Sequence, residues 1–190
     1  MNDIISGLRV TAATMAICVA GYTAVILGFA QVVTPATANG SLILGDDGTA
    51  RGSRLIAQGF TAPGYVWPRP SAVAYDAAGA GGSNLSPANP LLAERARALI
   101  AAYGGNTTPI PADLVTASGA GLDPHISRAG ALFQAPRVAA ARDVAPAAVR
   151  AIIDRLAERP GGAFTPDRIV NVLELNIALD AELARSSDTE

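Results

Sequence analysis

One apolar membrane-crossing helix followed by a mixed α/β extracytoplasmic domain is the fold class this 190-residue sequence predicts. Three observations carry it. Half of the residues are hydrophobic and only 16% are charged, below the quarter or so that soluble domains carry. The apolar excess is concentrated, since Val10–Val33 contains no charged residue at all. After it, short apolar runs, Pro/Gly turns and helical periodicities alternate over about 150 residues, the size of one domain.

The span comes first. As a helix, Val10–Val33 reaches about 36 Å, enough to cross a hydrocarbon core of about 30 Å. Its Val, Ile, Leu and Phe residues together favour insertion by about 3 to 5 kcal/mol, with no charge opposing them. A buried core helix is the alternative, but such helices are rarely this long and apolar on every side. Ala36-Thr37-Ala38, behind Pro35, matches a signal-peptidase pattern. The apolar run, however, exceeds the roughly 7–15 residues of a signal h-region, which favours an uncleaved anchor. Arg9 precedes the span and Arg51 is the next basic residue after it. The positive-inside bias therefore places residues 1–9 in the cytoplasm, 10–33 across the membrane and 34–184 outside, with 185–190 a polar tail. Ala12, Ala16, Ala20, Ala24 and Gly28 recur at every fourth position, a stripe that lets a second helix approach closely. Chance alignment in so alanine-rich a chain is the alternative reading.

The domain follows. Ser41–Leu44 and Leu55–Ala57 flank Gly45-Asp46-Asp47-Gly48 and predict a hairpin or a pair of linked short strands. Phe60–Tyr75 carries Tyr65 and Trp67 among three prolines and cannot be a regular helix. Gly79–Pro87 reads as a loop. Asn89 and Pro90 open a helix that ends near Tyr103 at Gly104-Gly105. Leu114–Ser118 is strand-like. Ser127 caps a helix through about Ala135, and helical character resumes at Val138–Arg142 after Pro136. Pro146–Leu156 is helical, with Val149, Ile152, Ile153 and Leu156 on one face. Ile169–Leu183 fits both periods: Leu173, Leu175, Ile177 and Leu179 alternate, while Val172, Leu175, Leu179 and Leu183 keep helical spacing.

Composition excludes several chemistries. All 14 basic residues are arginine, so Schiff-base lysines and the P-loop lysine are absent. A net charge of −2 argues against sequence-independent nucleic-acid binding. Cys18 alone forms no internal disulfide, and with His125 alone it does not make a zinc site.

Several stretches are more specific than loop composition requires. They are Gly52-Ser53-Arg54-Leu55-Ile56-Ala57-Gln58, Arg69-Pro70-Ser71, Gly82-Ser83-Asn84-Leu85, Val115–Ser127, Gln134-Ala135-Pro136-Arg137-Val138-Ala139 and Val170–Asp180. In this order and spacing the chain closely resembles the KdpC family, the C subunit of Kdp potassium-transporting P-type ATPases. The run from Ser118 through Gly121-Leu122-Asp123-Pro124-His125-Ile126 to Ser127 is the most specific part. Ala57 and Ala120 stand where the family tends to glycine and serine. The resemblance implies a non-catalytic subunit of a high-affinity, ATP-driven potassium importer in the cell (inner) membrane. Its partners would be a potassium-selective channel-like subunit, a P-type ATPase subunit and a small membrane peptide. It further implies a part in assembly and stability, and a catalytic-chaperone role that raises the pump subunit's ATP affinity. ATP and potassium would be handled by the complex rather than held here as cofactors. The pump's own Asp-Lys-Thr-Gly-Thr motif cannot exist in a lysine-free chain.

The polar residues admit other readings beside this one. Asp123 and His125 sit near Thr116, Ser118 and Ser127, which on paper allows hydrolase chemistry, although a structural turn is the plainer reading. An anchored or secreted periplasmic enzyme or binding protein using that turn is the alternative function, and a cytoplasmic ATP-binding regulator is another. Arg69, Arg137 and Arg142 are candidates to pair with Asp76, Asp123 or Asp143. Gln134 and Arg137, one helical turn apart, form a recognition pair, and Tyr65 and Trp67 are aromatic anchors. With Arg69, Ser83, Asn84, Asp123 and His125, and the membrane stripe, these are the candidate partner-interface residues.

Overall fold

The computed structural model describes residues 2–104, 109–164 and 167–183. The expected tail 185–190 and Gly105 lie outside them. The chain divides into two compact units, one ending at Arg51 and one beginning at Gly52.

The first unit is dominated by one continuous helix, Asn2–Val33, whose most apolar 18 residues have mean hydropathy 2.0. It starts earlier than the apolar run, because residues 2–9 have no proline to stop it. It consists of α1 (Asn2–Met15), a π-helical segment (Ala16–Gly21) and α2 (Tyr22–Val33). Ile17, Val25, Phe29 and Val32 stand exposed around it. Thr34 leaves helical geometry and Pro35 starts a single further turn, α3 (Pro35–Ala38). Asn39 closes it, pairing its amide with that of Gln31 and donating to Pro35 O at 2.7 Å.

A two-stranded hairpin follows, β1 (Leu42–Leu44) with β2 (Ala50–Ser53). The expected return strand at Leu55–Ala57 is therefore corrected to Ala50–Ser53. The reason is a tight turn: Asp47 accepts from the Thr49 amide at 3.0 Å and hydroxyl at 2.6 Å, and Gly48 takes φ +75°. Strand pairing resumes directly after Thr49. Leu55 instead enters a turn on the Ser53 hydroxyl, and the Ala57 amide donates to Leu122 O.

In the second unit three helices among the described residues pack on one short sheet, and a fourth precedes them with no buried residue. Its first helix is α4 (Pro90–Ala102), where Asn89 Oδ1 caps the Leu91 amide at 3.0 Å. The strand expected at Leu114–Ser118 is a 3₁₀ turn, Ala112–Leu114, followed by a bend. Pro111 starts that turn and no strand pairs with it among the described residues, while the Ser118 amide goes to Pro70 O. Strand β3 (His125–Ser127) pairs antiparallel with β4 (Ile169–Asn171), Ile126 opposite Val170. Helix α5 (Arg128–Ala141) is capped by the Ser127 hydroxyl on the Gly130 amide and runs unbroken through Pro136. Helix α6 (Pro146–Leu156) buries Val149, Ile152 and Ile153, the face its periodicity marks. Helix α7 (Val172–Leu183) completes the unit.

The doubly periodic stretch 169–183 is thus both things in succession. Asn171 makes the switch: its side chain accepts from the Glu174 amide, capping the helix, and donates to Arg54 O. The core gathers Val66, Leu114, Ile126, Val138, Val149, Ile153, Val170, Leu175 and Leu179. Val66 is notable there, since it comes from an irregular segment.

Candidate partner-facing site

Pro63–Trp67 leaves a turn closed by the Tyr65 amide on Ala62 O and pairs with no strand among the described residues, yet every carbonyl in it has a partner. Arg137 Nη1 donates to Pro63 O at 2.6 Å and to Tyr65 O at 3.1 Å. Arg142 Nε donates to Gly64 O at 2.6 Å. Asn176 grips Val66 from both sides, accepting from its amide at 2.9 Å and donating to its carbonyl at 3.0 Å. Gln134 does the same for Trp67, at 2.8 and 3.1 Å. A carboxamide offers one donor and one acceptor in the spacing of a peptide group. Two such side chains on α5 and α7 therefore replace a missing strand.

The aromatic side chains are fastened by the same arginines. The Arg137 guanidinium lies over the Trp67 ring, 3.9 Å from its centre, and bonds Gln134 Oε1 at 2.7 Å. Arg142 lies 5.0 Å from the Tyr65 ring and pairs with Asp180 at 2.7 Å. The Tyr65 hydroxyl also donates to Asp180, at 3.0 Å. That bond raises the phenol's pKa, helped by burial. Trp67 and Tyr103 rings stand 5.4 Å apart, and burial pushes the Tyr103 phenol up to about 12.

Arg69, two residues on from Trp67, joins this platform to a second cluster. Its Nη1 donates to Asp123 Oδ2 at 3.0 Å. Asp123 Oδ1 accepts from the His125 amide at 3.0 Å and lies 3.5 Å from His125 Nδ1. These contacts hold the carboxyl at about 2, the His125 ring contributing most, then its amide and Arg69, against the opposing pull of burial. Ser118 is buried, with its hydroxyl accepting from the Gly121 and Asp123 amides at 3.1 and 3.4 Å. Gly121 takes φ +70°, and an added Cβ there would lie 2.6 Å from Val73 and 2.8 Å from Gly81 O. A side chain is thus excluded twice over.

Ser83 and Asn84 form a third location, on a loop tied to this turn by the Gly81 amide to Ala120 O at 2.8 Å. The stripe Ala12, Ala16, Ala20, Ala24 and Gly28 lies on the helix of the first unit. Four residues of α-helix overshoot a full turn by about 40°, so such a stripe drifts around the axis. The π-helical Ala16–Gly21 turns less per residue. The step from Ala16 to Ala20 therefore moves against the drift and draws the small residues closer to one line.

The structure thus brings Tyr65, Trp67, Gln134 and Arg137 together, links Arg69, Asp123 and His125 beside them, and sets Ser83 and Asn84 apart. Of the expected ion pairs, Arg69–Asp123 forms, while Arg142 takes Asp180 rather than Asp143. Asn176, Asp180 and Asn171 escaped the sequence reading. The one available signal was a pair of asparagines five apart in a mostly apolar stretch. No group of three His, Cys, Asp or Glu residues placed to hold a metal occurs among the described residues.

Comparison with known proteins decides what this assembly belongs to. The family model for KdpC, "K+-transporting ATPase, c chain", matches residues 4–181. The chain belongs to the KdpC family. It is a component of a potassium-transporting ATPase complex. A Potassium-transporting ATPase KdpC subunit of Parvibaculum lavamentivorans is 56% identical to it over 181 residues, 95% of this chain and 97% of that one. KdpC subunits of Burkholderia vietnamiensis and Methylibium petroleiphilum are 52% and 51% identical, each across 84% of this chain and 86% of their own. The KdpC match runs through both the apolar helix and the folded unit.

Proposed function

We propose that this chain is an accessory, non-catalytic subunit of its potassium-importing complex, anchored by one helix in the cell membrane with the folded unit outside the cytoplasm. The observation that carries this is the KdpC match across residues 4–181, which includes the apolar helix as well as the domain. In this reading the small-residue stripe packs against membrane helices of a channel-like subunit and the small membrane peptide. The domain of residues 34–184 braces the outer face of the channel-like subunit. Any effect on the ATP affinity of the P-type subunit then travels through the membrane part, because the domain and cytoplasmic ATP lie on opposite sides. The non-catalytic role is supported by the absence of lysine and by Ser118, whose hydroxyl is engaged by two backbone amides. Retention of the anchor is supported by Ala36-Thr37-Ala38, which lies in a helical turn rather than in the extended form a peptidase grips.

A cysteine at Thr189, in a chain whose Cys18 is replaced by serine, tests the sidedness. It reacts with a membrane-impermeant maleimide in intact cells; labelling that appears only after lysis overturns the outside placement. Extraction in mild detergent tests the assembly role. The chain co-purifies with a large multispan subunit, and recovery as a lone stable monomer overturns that role.

A further inference from the structure

Arg95 carries a guanidinium that the fold leaves unused. It projects from α4 into a groove of about 460 Å³ that it lines with Gly82, Ser83, Leu85 and Glu94. Its Nη1 is shut off from solvent and bonded to nothing. Arg69 and Arg137 also have a buried, unbonded Nε, but their terminal nitrogens are engaged by Asp123 and by Pro63 O and Gln134. Arg95 forms no ion pair among the described residues, not even with adjacent Glu94. The Ser83 hydroxyl is likewise without a bond among them. The groove wall is nevertheless fixed. Gly81 is tied to Ala120 O, an added Cβ on Gly82 would lie 2.7 Å from Gly119 O, and Asn84 is held at φ +51°. A buried donor without an acceptor destabilises the fold, so its retention points to an acceptor supplied from outside.

We propose that this groove receives a carboxylate side chain from a neighbouring subunit of the complex, clamped by Arg95 with Ser83 donating beside it. The planar fork of a guanidinium matches a carboxylate through two parallel bonds. Rotation about the last bonds of the side chain brings Nη1 round to the acceptor as it enters. Glu94 on the rim selects the source. Its negative charge repels a free multivalent anion, whereas a polypeptide brings a neighbouring donor that meets it. The proposal rests on the subunit role given above.

Arg95→Met separates this from an internal role. In the full chain in detergent the unfolding midpoint stays level or rises, because an unpaired buried donor has been removed. In the complex, roughly threefold or more of the subunit is lost from the assembly during a salt wash relative to wild type. Arg95→Lys, which keeps the charge without the fork, falls between. A lower midpoint for Arg95→Met overturns the proposal by assigning the guanidinium a structural duty, and equal retention overturns it directly. Sodium acetate and inorganic phosphate serve as free-anion probes. If either raises the midpoint of wild type but not of Arg95→Met while retention is unchanged, the groove is a free-anion site and the proposal fails. Failure of the wild-type chain to co-purify removes the subunit role itself, and the groove's partner with it.

Discussion

Replacing Asn176 by alanine strands the amide and the carbonyl of Val66 together, both buried and neither within reach of water. Losing two such partners costs about 2–4 kcal/mol, read as a lower urea midpoint for the full chain in detergent; a change near zero means that other groups take over both bonds. Asn176→Asp does not rescue it, since the carboxylate keeps only the acceptor and buries a charge. At this scale the sequence was partly legible. Trp67 and Tyr65 announced themselves as anchors by size, and Arg137 by its place in a recognisable motif. Asn176 and Asp180 did not, because an asparagine's use depends on what the fold lays across it, here a segment 110 residues earlier. Arg95 was hidden for the opposite reason: on a surface helix an arginine is expected to be solvated, and only the groove makes it unusual.

Helices with capping residues at their ends were the most legible elements. Asn89, Ser127 and Pro146 mark starts that local chemistry enforces. Short strands were the least legible, since a three-residue strand is defined by its partner rather than by its own pattern. Leu114–Ser118 had the composition and no partner, while Ala50–Ser53 had a partner set by the Asp47 turn. The π-helical segment left no trace in the residue pattern, and it supports a prediction about the whole helix. Deleting Cys18 removes one residue from Ala16–Gly21 and lets the α-helical ladder close. Five α-helical residues turn through about the same angle as the six π-helical ones they replace, so the two halves of the small-residue stripe keep nearly the same relative orientation. Membrane insertion is unaffected and the subunit stays with the detergent-extracted complex; its loss means that the π-helical geometry itself is needed for the helix contact.

For the molecule as a whole, acid is the informative stress. The Asp123 carboxyl titrates at about 2 in the folded chain against 3.8 for an unperturbed aspartate. The unfolded chain therefore binds its proton first. The stabilisation is complete above about pH 4, shrinks as the pH falls toward 2 and is gone below that. Because the side chain is about a third exposed, solvent screening leaves about 1 kcal/mol of it. Asp123→Asn accordingly unfolds more readily than wild type at pH 7, and the gap closes as the two are compared down to about pH 2; a gap independent of pH assigns the loss to packing instead. Family membership was legible from the Gly121–Ser127 run and its companions, whereas sidedness rests on Arg9 and Arg51 alone. Synthesis imposes an order on all of this. Val66 and Trp67 leave the ribosome long before Asn176 is added, an interval of roughly 5–20 s at ordinary elongation rates. Throughout it, the peptide groups of Val66 and Trp67, which pair with no strand, wait without their holders. The nascent chain is thus a client for chaperones until its last helix arrives, and a message truncated ahead of α7 yields a product for proteolysis.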